Sequence, residues 1–401
     1  MEELKPIVKE LAKKYAEDIL TDRRHIHANP ELSFEEYKTA EYVANRLKSF
    51  GLTPQEKVAN TGLTVLIEGK NPESKTVALR ADMDALPITE ANDVPYKSTN
   101  EGVMHACGHD VHTSSLLGTA RILSEMTDSF EGTLKLIFQP GEEKIPGGAS
   151  LMIKDGVLKA LKHTPAPKSI IGQHVMPFLP VGTIGFREGL YMASADEIYI
   201  TVKGKGGHGA MPEKIIDPVL ISSHIMVALQ QIISRNCDPK TPSVLSFGKV
   251  EAKGATNIIP DVVKIAGTFR TYDEAWRTEA HKRMKKMGEG IAEAMGATCD
   301  FDIHVGYPHL KNHPALTQRM RQAAETYMGK ENVVNLDLWM AAEDFAYYSQ
   351  EVDACFYRLG TRNESKGIVS SVHTPTFDID EDALEIGAGL MSWLALNELK
   401  G

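Results

Sequence analysis

The sequence predicts an α/β protein: a discontinuous domain with a mostly parallel sheet and helices on both faces, interrupted by an inserted α+β domain. Three observations predict it. Through the first 185 residues, short apolar runs alternate with helical stretches. Near residue 185 the pattern changes to strands that alternate apolar and polar positions, separated by long helices. From His304 onward the α/β character returns. A chain of 401 residues is also too long for one ordinary core. The expected boundaries are 1–185 with 304–401 for the outer domain and 186–303 for the insertion.

Taken in order, residues 4–20 have the charge and apolar spacing of a surface helix that can run on to His27, with Pro30 at or after its end. Residues 34–50 read as a second helix closed by Gly51. Thr64–Ile67 and Thr76–Arg80 are short apolar strands, and the second leads into Asp82-Met83-Asp84. A long loop and a helix over 112–126 follow. The strand Thr133–Phe138 ends in Gln139-Pro140-Gly141-Glu142-Glu143, and a helix over 148–155 follows it. Ser169–Gly172 is a strand that delivers Gln173-His174. Acidic and imidazole side chains thus leave one edge of a sheet at successive strand ends, the place where open α/β sheets bind ligands. In the insertion, strands are expected at 198–202, 244–250 and 262–269 and helices at 217–234 and 273–295, with one bare helix or sheet edge available to a second copy. A helix over 316–327, a strand over 354–359 and a helix over 383–399 complete the outer domain.

Composition narrows the function classes. Hydrophobic residues make up 42% and charged residues 24%, as in a soluble globular protein. The net charge of −10 argues against nucleic acid and anionic membrane as partners. No apolar run approaches the roughly 20 residues of a membrane helix. The charged N-terminus is unlike a signal peptide. Four scattered cysteines give no disulfide framework, so a cytoplasmic setting is expected.

The reactive side chains concentrate in Met104-His105-Ala106-Cys107-Gly108-His109-Asp110-Val111-His112, where Gly108 permits a tight turn. A thiolate and an imidazole suit zinc and similar ions. Cys107, His109, Glu143, His174 and His373 all fall in loops after expected strands or near turns. Any one of them alone reads as a structural histidine, a buried thiol or a solvated acid. Together they are harder to read as separate structural groups, because adjacent Glu142 and Glu143 can divide two tasks: one binds metal, the other accepts a proton from water. Asp84 can orient an imidazole ligand through its second nitrogen, with Asp82 ranked below it.

Ala81–Pro87, Met104–Asp110, Phe138–Glu143, Gly172–His174 and Gly204–Ala210 resemble the N-acyl-amino-acid amidohydrolase family. This is the hippurate hydrolase, indole-acetyl-amino-acid hydrolase and acetyldiaminopimelate deacetylase branch of the dinuclear-metal exopeptidases. The likeness runs from Arg23–His27 and Pro30-Glu31-Leu32 through Asn257–Pro260, Thr268–Arg270 and Ala342–Phe345 to Val372-His373.

The resemblance implies two divalent metal ions per subunit, zinc first, with manganese, cobalt or nickel as alternatives. Cys107 would bridge them, where related branches use an aspartate. His109 and His174 would be terminal ligands, with Glu143 on one ion and His373 on the other. It implies Glu142 as general base and His208, from the small domain, as a catalytic group that stabilises the oxyanion, in dimers often at the other subunit's site. Asn257 and Arg270 would hold the substrate carboxylate. Read from residues alone, His208 sits in a glycine-rich loop, Asn257 at a turn and Arg270 on a surface. Glu343 and Asp344 read first as helix-dipole acids and second as support for the site.

The expected activity is hydrolysis of N-acyl amino acids, in a homodimer formed through the insertion. The alternative is a dipeptidase or carboxypeptidase of the same clan. A non-catalytic metal-binding homologue and a redox sensor at Cys107 are the readings from other classes.

Overall fold

Two strands, Thr76–Asp82 and Thr133–Gln139, are buried at every residue, which requires cover on both faces of the sheet they share. A computed structural model describes residues 3–161 and 163–400. The strands belong to an eight-stranded sheet in the order Gln55–Val58, Gly62–Glu68, Thr133–Gln139, Thr76–Asp82, Ser169–Pro180, Asp353–Arg362, Ile184–Phe186 and Val333–Asn335. Its four central strands, Thr133–Gln139 to Asp353–Arg362, run parallel. The antiparallel pairings lie toward the edges. The α/β class read from the sequence is therefore the fold.

The chain divides into two compact units. The first comprises Met1–Tyr191, Lys311–Asp337 and Asp344–Gly401, and the second Met192–Leu310 with Leu338–Glu343. In the first unit the helices Leu4–Lys14, Ala16–Ala28, His109–Ser124 and Asp382–Lys400 contribute Val8, Ile19, Leu116, Leu117, Leu390 and Trp393 to one core with the sheet's Val77, Leu79 and Leu136.

In the second unit the sheet order is Ser243–Ala252, Val262–Thr271, Asp196–Lys203, Thr298–Val305, all antiparallel. Burial alternates along Asp196–Lys203, so one face is covered. The helices Pro218–Gln231 and Glu274–Ala294 cover it with Ile221, Ile225, Leu229, Ala280 and Met284. Asp217 and Asp273 cap these helices by accepting from Val219 N (2.8 Å) and Trp276 N (2.7 Å).

Three local differences from the sequence reading bear on the site. The second helix begins at Tyr37, not at residue 34. Phe34 takes a left-handed backbone, with φ 67°, and Glu36 turns its side chain back into the protein. The helix expected over 112–126 begins at His109, because left-handed Gly108 (φ 81°) starts it earlier. A Cβ at Gly108 would lie 2.6 Å from Val175, so the close approach also requires glycine. The strand that carries His174 runs from Ser169 to Pro180, which puts His174 inside the strand.

Candidate metal centre

The first unit brings Cys107, His109, His174, Glu142, Glu143 and His373 together. His109 comes from the first turn of a helix, His174 from the middle of a parallel strand, and Glu142 and Glu143 from the loop after Thr133–Gln139. His373 adopts φ 60°, and its backbone N–H donates to Ala106 O (2.7 Å), tying its loop to the turn that holds Cys107. Such a backbone is sterically unfavourable for histidine and is held by its surroundings.

These side chains form three overlapping donor groups, one of them His109, Glu142 and Glu143. Cys107, His109 and His174 offer atoms that all lie within 4.8 Å of one another, and so do Cys107, Glu143 and His373. Cys107 Sγ is common to both, 3.5 Å from His174 Nε2 and 3.3 Å from His373 Nε2. Glu143 Oε1 lies 3.2 Å from His373 Nε2, and His109 Nε2 is buried without a hydrogen-bond partner. Buried polar atoms in that state need compensation, and a cation would supply it. A thiolate shared by two sets of nitrogen and carboxylate donors fits a pair of divalent ions.

The free lone pairs are aimed by a second set of bonds. Asp84 Oδ1 accepts from His109 Nδ1 (3.1 Å), which leaves the Nε2 lone pair free for a cation. Asp84 Oδ2 accepts from Ser33 Oγ (2.6 Å) and Glu143 N (2.9 Å). His174 Nδ1 donates to Val175 O (2.8 Å), which frees its Nε2 in the same way. Burial would raise the Asp84 carboxyl, but the bond from His109 holds it below its ordinary value.

The sequence ranked several supporting residues too low. Asp82 Oδ1 pairs with His112 Nδ1 (2.6 Å), and His112 Nε2 accepts from Val175 N (2.9 Å). Burial opposes the charge of Asp82, yet the Arg80 guanidinium and two imidazoles hold its carboxyl well below the usual range. Arg80 is fully buried and donates to Asp82 (2.5 Å), Gln139 (3.0 Å) and Asp344 (2.7 Å). Asp344 also accepts from Gln139 Nε2 and Ala149 N, and its own N–H reaches Glu142 Oε1 (3.4 Å). Asp344 therefore supports the site, and the helix-dipole role ranked first for it is corrected. Behind His109, Asp110 Oδ2 accepts from Arg23 Nε and pairs with His27 Nδ1, both at 2.8 Å. These partners lie far apart in the chain, and only the motifs they sit in marked them.

In the second unit, His208 and Asn257 are brought together. His208 pairs with Ile258 across a short antiparallel ladder, and Gly209 N donates to Asn257 O (2.9 Å). Arg270, on Val262–Thr271, donates to Thr268 Oγ1 (3.1 Å) and forms no ion pair among the described residues. Among the described residues, no helix is long and apolar enough to cross a membrane, and all four cysteines are free.

Residues 78–397 match the model of peptidase family M20/M25/M40. The chain is 42% identical over 306 residues to an N-acyl-L-amino acid amidohydrolase of Geobacillus stearothermophilus, covering 76% of this chain and 81% of that one. It is 40% identical over 402 residues to thermostable carboxypeptidase 2 of Saccharolobus solfataricus, covering 99% and 98%. It is similar in structure to the Bacillus subtilis YXEP protein, a dinuclear metal-binding peptidase of the M20 family. There the TM-score is 0.82 and the identity 33%, with 97% of this chain and 99% of that chain covered.

Proposed function

The chain belongs to peptidase family M20/M25/M40, and from that premise we propose that it hydrolyses the amide bond of N-acyl amino acids, releasing a carboxylic acid and a free amino acid. The observation that carries the reading is the Cys107 thiol shared by two donor groups with the Glu142 carboxylate beside them. Cys107, His109, His174, Glu143 and His373 would hold two divalent ions, with Cys107 common to two of the donor groups; zinc is the preferred metal. When bound, two divalent ions supply Lewis-acid activation of the attacking water and of the scissile carbonyl.

The chain's own groups do the rest. Glu142 takes a proton from the water as its oxygen bonds to the carbonyl carbon. It returns that proton to the nitrogen as the C–N bond breaks. His208 donates to the oxyanion that develops. Arg270, a half-buried guanidinium with no ion pair among the described residues, and Asn257 hold the α-carboxylate. This assigns the enzyme a preference for substrates with a free acid.

The second unit serves as the dimerisation domain for another copy of this chain. Its helix Pro218–Gln231 exposes Leu220 (52%) and Val227 (75%) on one stripe, and the strand Ser243–Ala252 is an edge of its sheet. A thiol ligand favours a reducing compartment, and we assign the protein to the cytoplasm.

The test is a hydrolysis screen of acetyl-, benzoyl- and indoleacetyl-amino acids against dipeptides and longer peptides, with zinc and with manganese. Glu142→Gln is run in parallel, with its metal content measured. The proposal expects acyl amino acids to lead. It also expects the variant to keep its metal and lose at least about a hundredfold in kcat. Faster turnover of peptides would favour the carboxypeptidase alternative. Parental kcat in the variant would remove the general-base assignment.

A further inference from the structure

Glu36 is a fully buried carboxylate outside the ligand set, and its oxygens are aimed at the backbone of the general-base loop. Its Oε1 accepts from Gly141 N (2.7 Å) and from Phe34 N (2.8 Å). Its Oε2 accepts from Thr61 Oγ1 (2.6 Å). One carboxylate thus pins three segments: the turn before the second helix, the loop around Thr61, and the loop that carries Glu142 and Glu143.

The contact is shaped on both sides. Phe34 holds φ 67°, which places its amide on the Glu36 oxygen and its ring against Gly141. Gly141 has φ 59°, and a Cβ there would fall onto the Phe34 ring. Asp84, meanwhile, holds Glu143 N on the far side of Glu142 (2.9 Å). The amides of the two residues on either side of Glu142 are therefore each fixed by a different buried carboxylate.

We infer that Glu36 is a positioning residue for hydrolysis: by fixing the Gly141 amide it aims the Glu142 carboxylate at the attacking water. This rests on the reading of Glu142 as general base. A displacement near 1 Å at a reacting group can cost a hundredfold or so in rate, which makes an anchor one residue away consequential. Burial, with the Asp84 charge adding to it, pushes Glu36 up to about 7.

The test is a double-mutant cycle on the metal-loaded enzyme: Glu36→Ala, Glu142→Gln and the pair, with kcat, KM and metal content measured. Glu36→Ala is expected to lower kcat at least about tenfold, with KM within about threefold and metal content unchanged. Glu36→Gln, which still offers Oε1 to both amides, is expected within about threefold of the parent. On the Glu142→Gln background, Glu36→Ala should change kcat by less than about threefold, because the group it aims is already disabled.

Losses that multiply in the double variant would overturn the inference, as would parental kcat in Glu36→Ala or metal loss in proportion to activity. If Glu36→Ala does not fold, Glu36→Asp takes its place under the same criteria, since it keeps the charge but draws the oxygens back from Gly141. Parental kcat in Glu142→Gln alone would remove the general-base reading together with this inference, whereas multiplied losses remove only the inference.

Discussion

Asp84→Asn is the sharpest probe of how the metal centre is aimed. The substitution is nearly isosteric, yet it turns one acceptor oxygen into a donor. Asp84 Oδ1 serves His109 Nδ1, and Oδ2 serves Ser33 Oγ and Glu143 N. If the new NH2 faces His109, the ring must accept at Nδ1 and carry its proton on Nε2. It then loses the lone pair that faces the other ligands. If the NH2 faces the other way, Ser33 can turn to accept it, but the Glu143 N–H cannot. A buried donor without a partner costs about 1–3 kcal/mol, or roughly fivefold to 150-fold in an equilibrium constant. Both orientations place that cost on a metal ligand or on its backbone. The expected result is a zinc affinity about tenfold to a hundredfold below the parent. The assay is competition against a chelator of known affinity, with kcat measured at saturating zinc, where part of the activity should return. Parental zinc affinity in Asp84→Asn would refute the argument that this carboxylate selects the His109 tautomer.

Cys107→Ala removes the donor common to two of the groups, so dialysed protein should hold fewer than two ions per subunit and lose at least about tenfold in kcat. Cys107→Asp, whose carboxylate can also bridge, should hold more metal than the alanine variant; equal loss in both would count against bridging. Leu220→Glu with Val227→Glu places two charges on the exposed apolar stripe of the second unit. The double variant should sediment as a monomer where the parent sediments as a dimer, and a variant that stays dimeric would move the interface elsewhere.

The elements legible in the sequence are those whose signal is local. Thr76–Asp82 and Thr133–Gln139 are continuous apolar runs, and both are strands of the central sheet. The helices capped by Asp217 and Asp273 announce themselves by residue type. The candidate ligands stood out because thiol and imidazole gather in Met104–His112 while Asp84, Glu142 and Glu143 follow strand ends. What local pattern could not show was long-range polar pairing. Residues 34–36 continue the apolar spacing of a helix, but Glu36 bonds Gly141 across 105 residues and bends the chain away. Asp344 looks like an acid at a helix start, and its main partner Arg80 lies 264 residues away. Such bonds have no period, so no window of sequence contains both ends.

Hydrogen-bond accounting also decides which imidazoles can hold metal. His112 accepts at Nε2 from Val175 N, so its proton sits on Nδ1, facing Asp82. Both of its nitrogens are thereby used, and burial lowers its tendency to protonate. It acts instead on His174. The Val175 peptide N–H is held by His112 while the same residue's carbonyl accepts from His174 Nδ1. Rotation of His174 would break that carbonyl bond without freeing another acceptor for Nδ1. His105 is the opposite case: both nitrogens are buried and unpartnered, burial pushes it down to about 3, and it belongs to none of the donor groups. His109 and His174 each have Nδ1 bound to oxygen and Nε2 directed at the shared thiol region. Of the histidines in this part of the chain, the ones able to coordinate are those whose second nitrogen is already committed to an acceptor. That condition makes the outer bonds from Asp84 and Val175 the contacts that select the coordinating nitrogens.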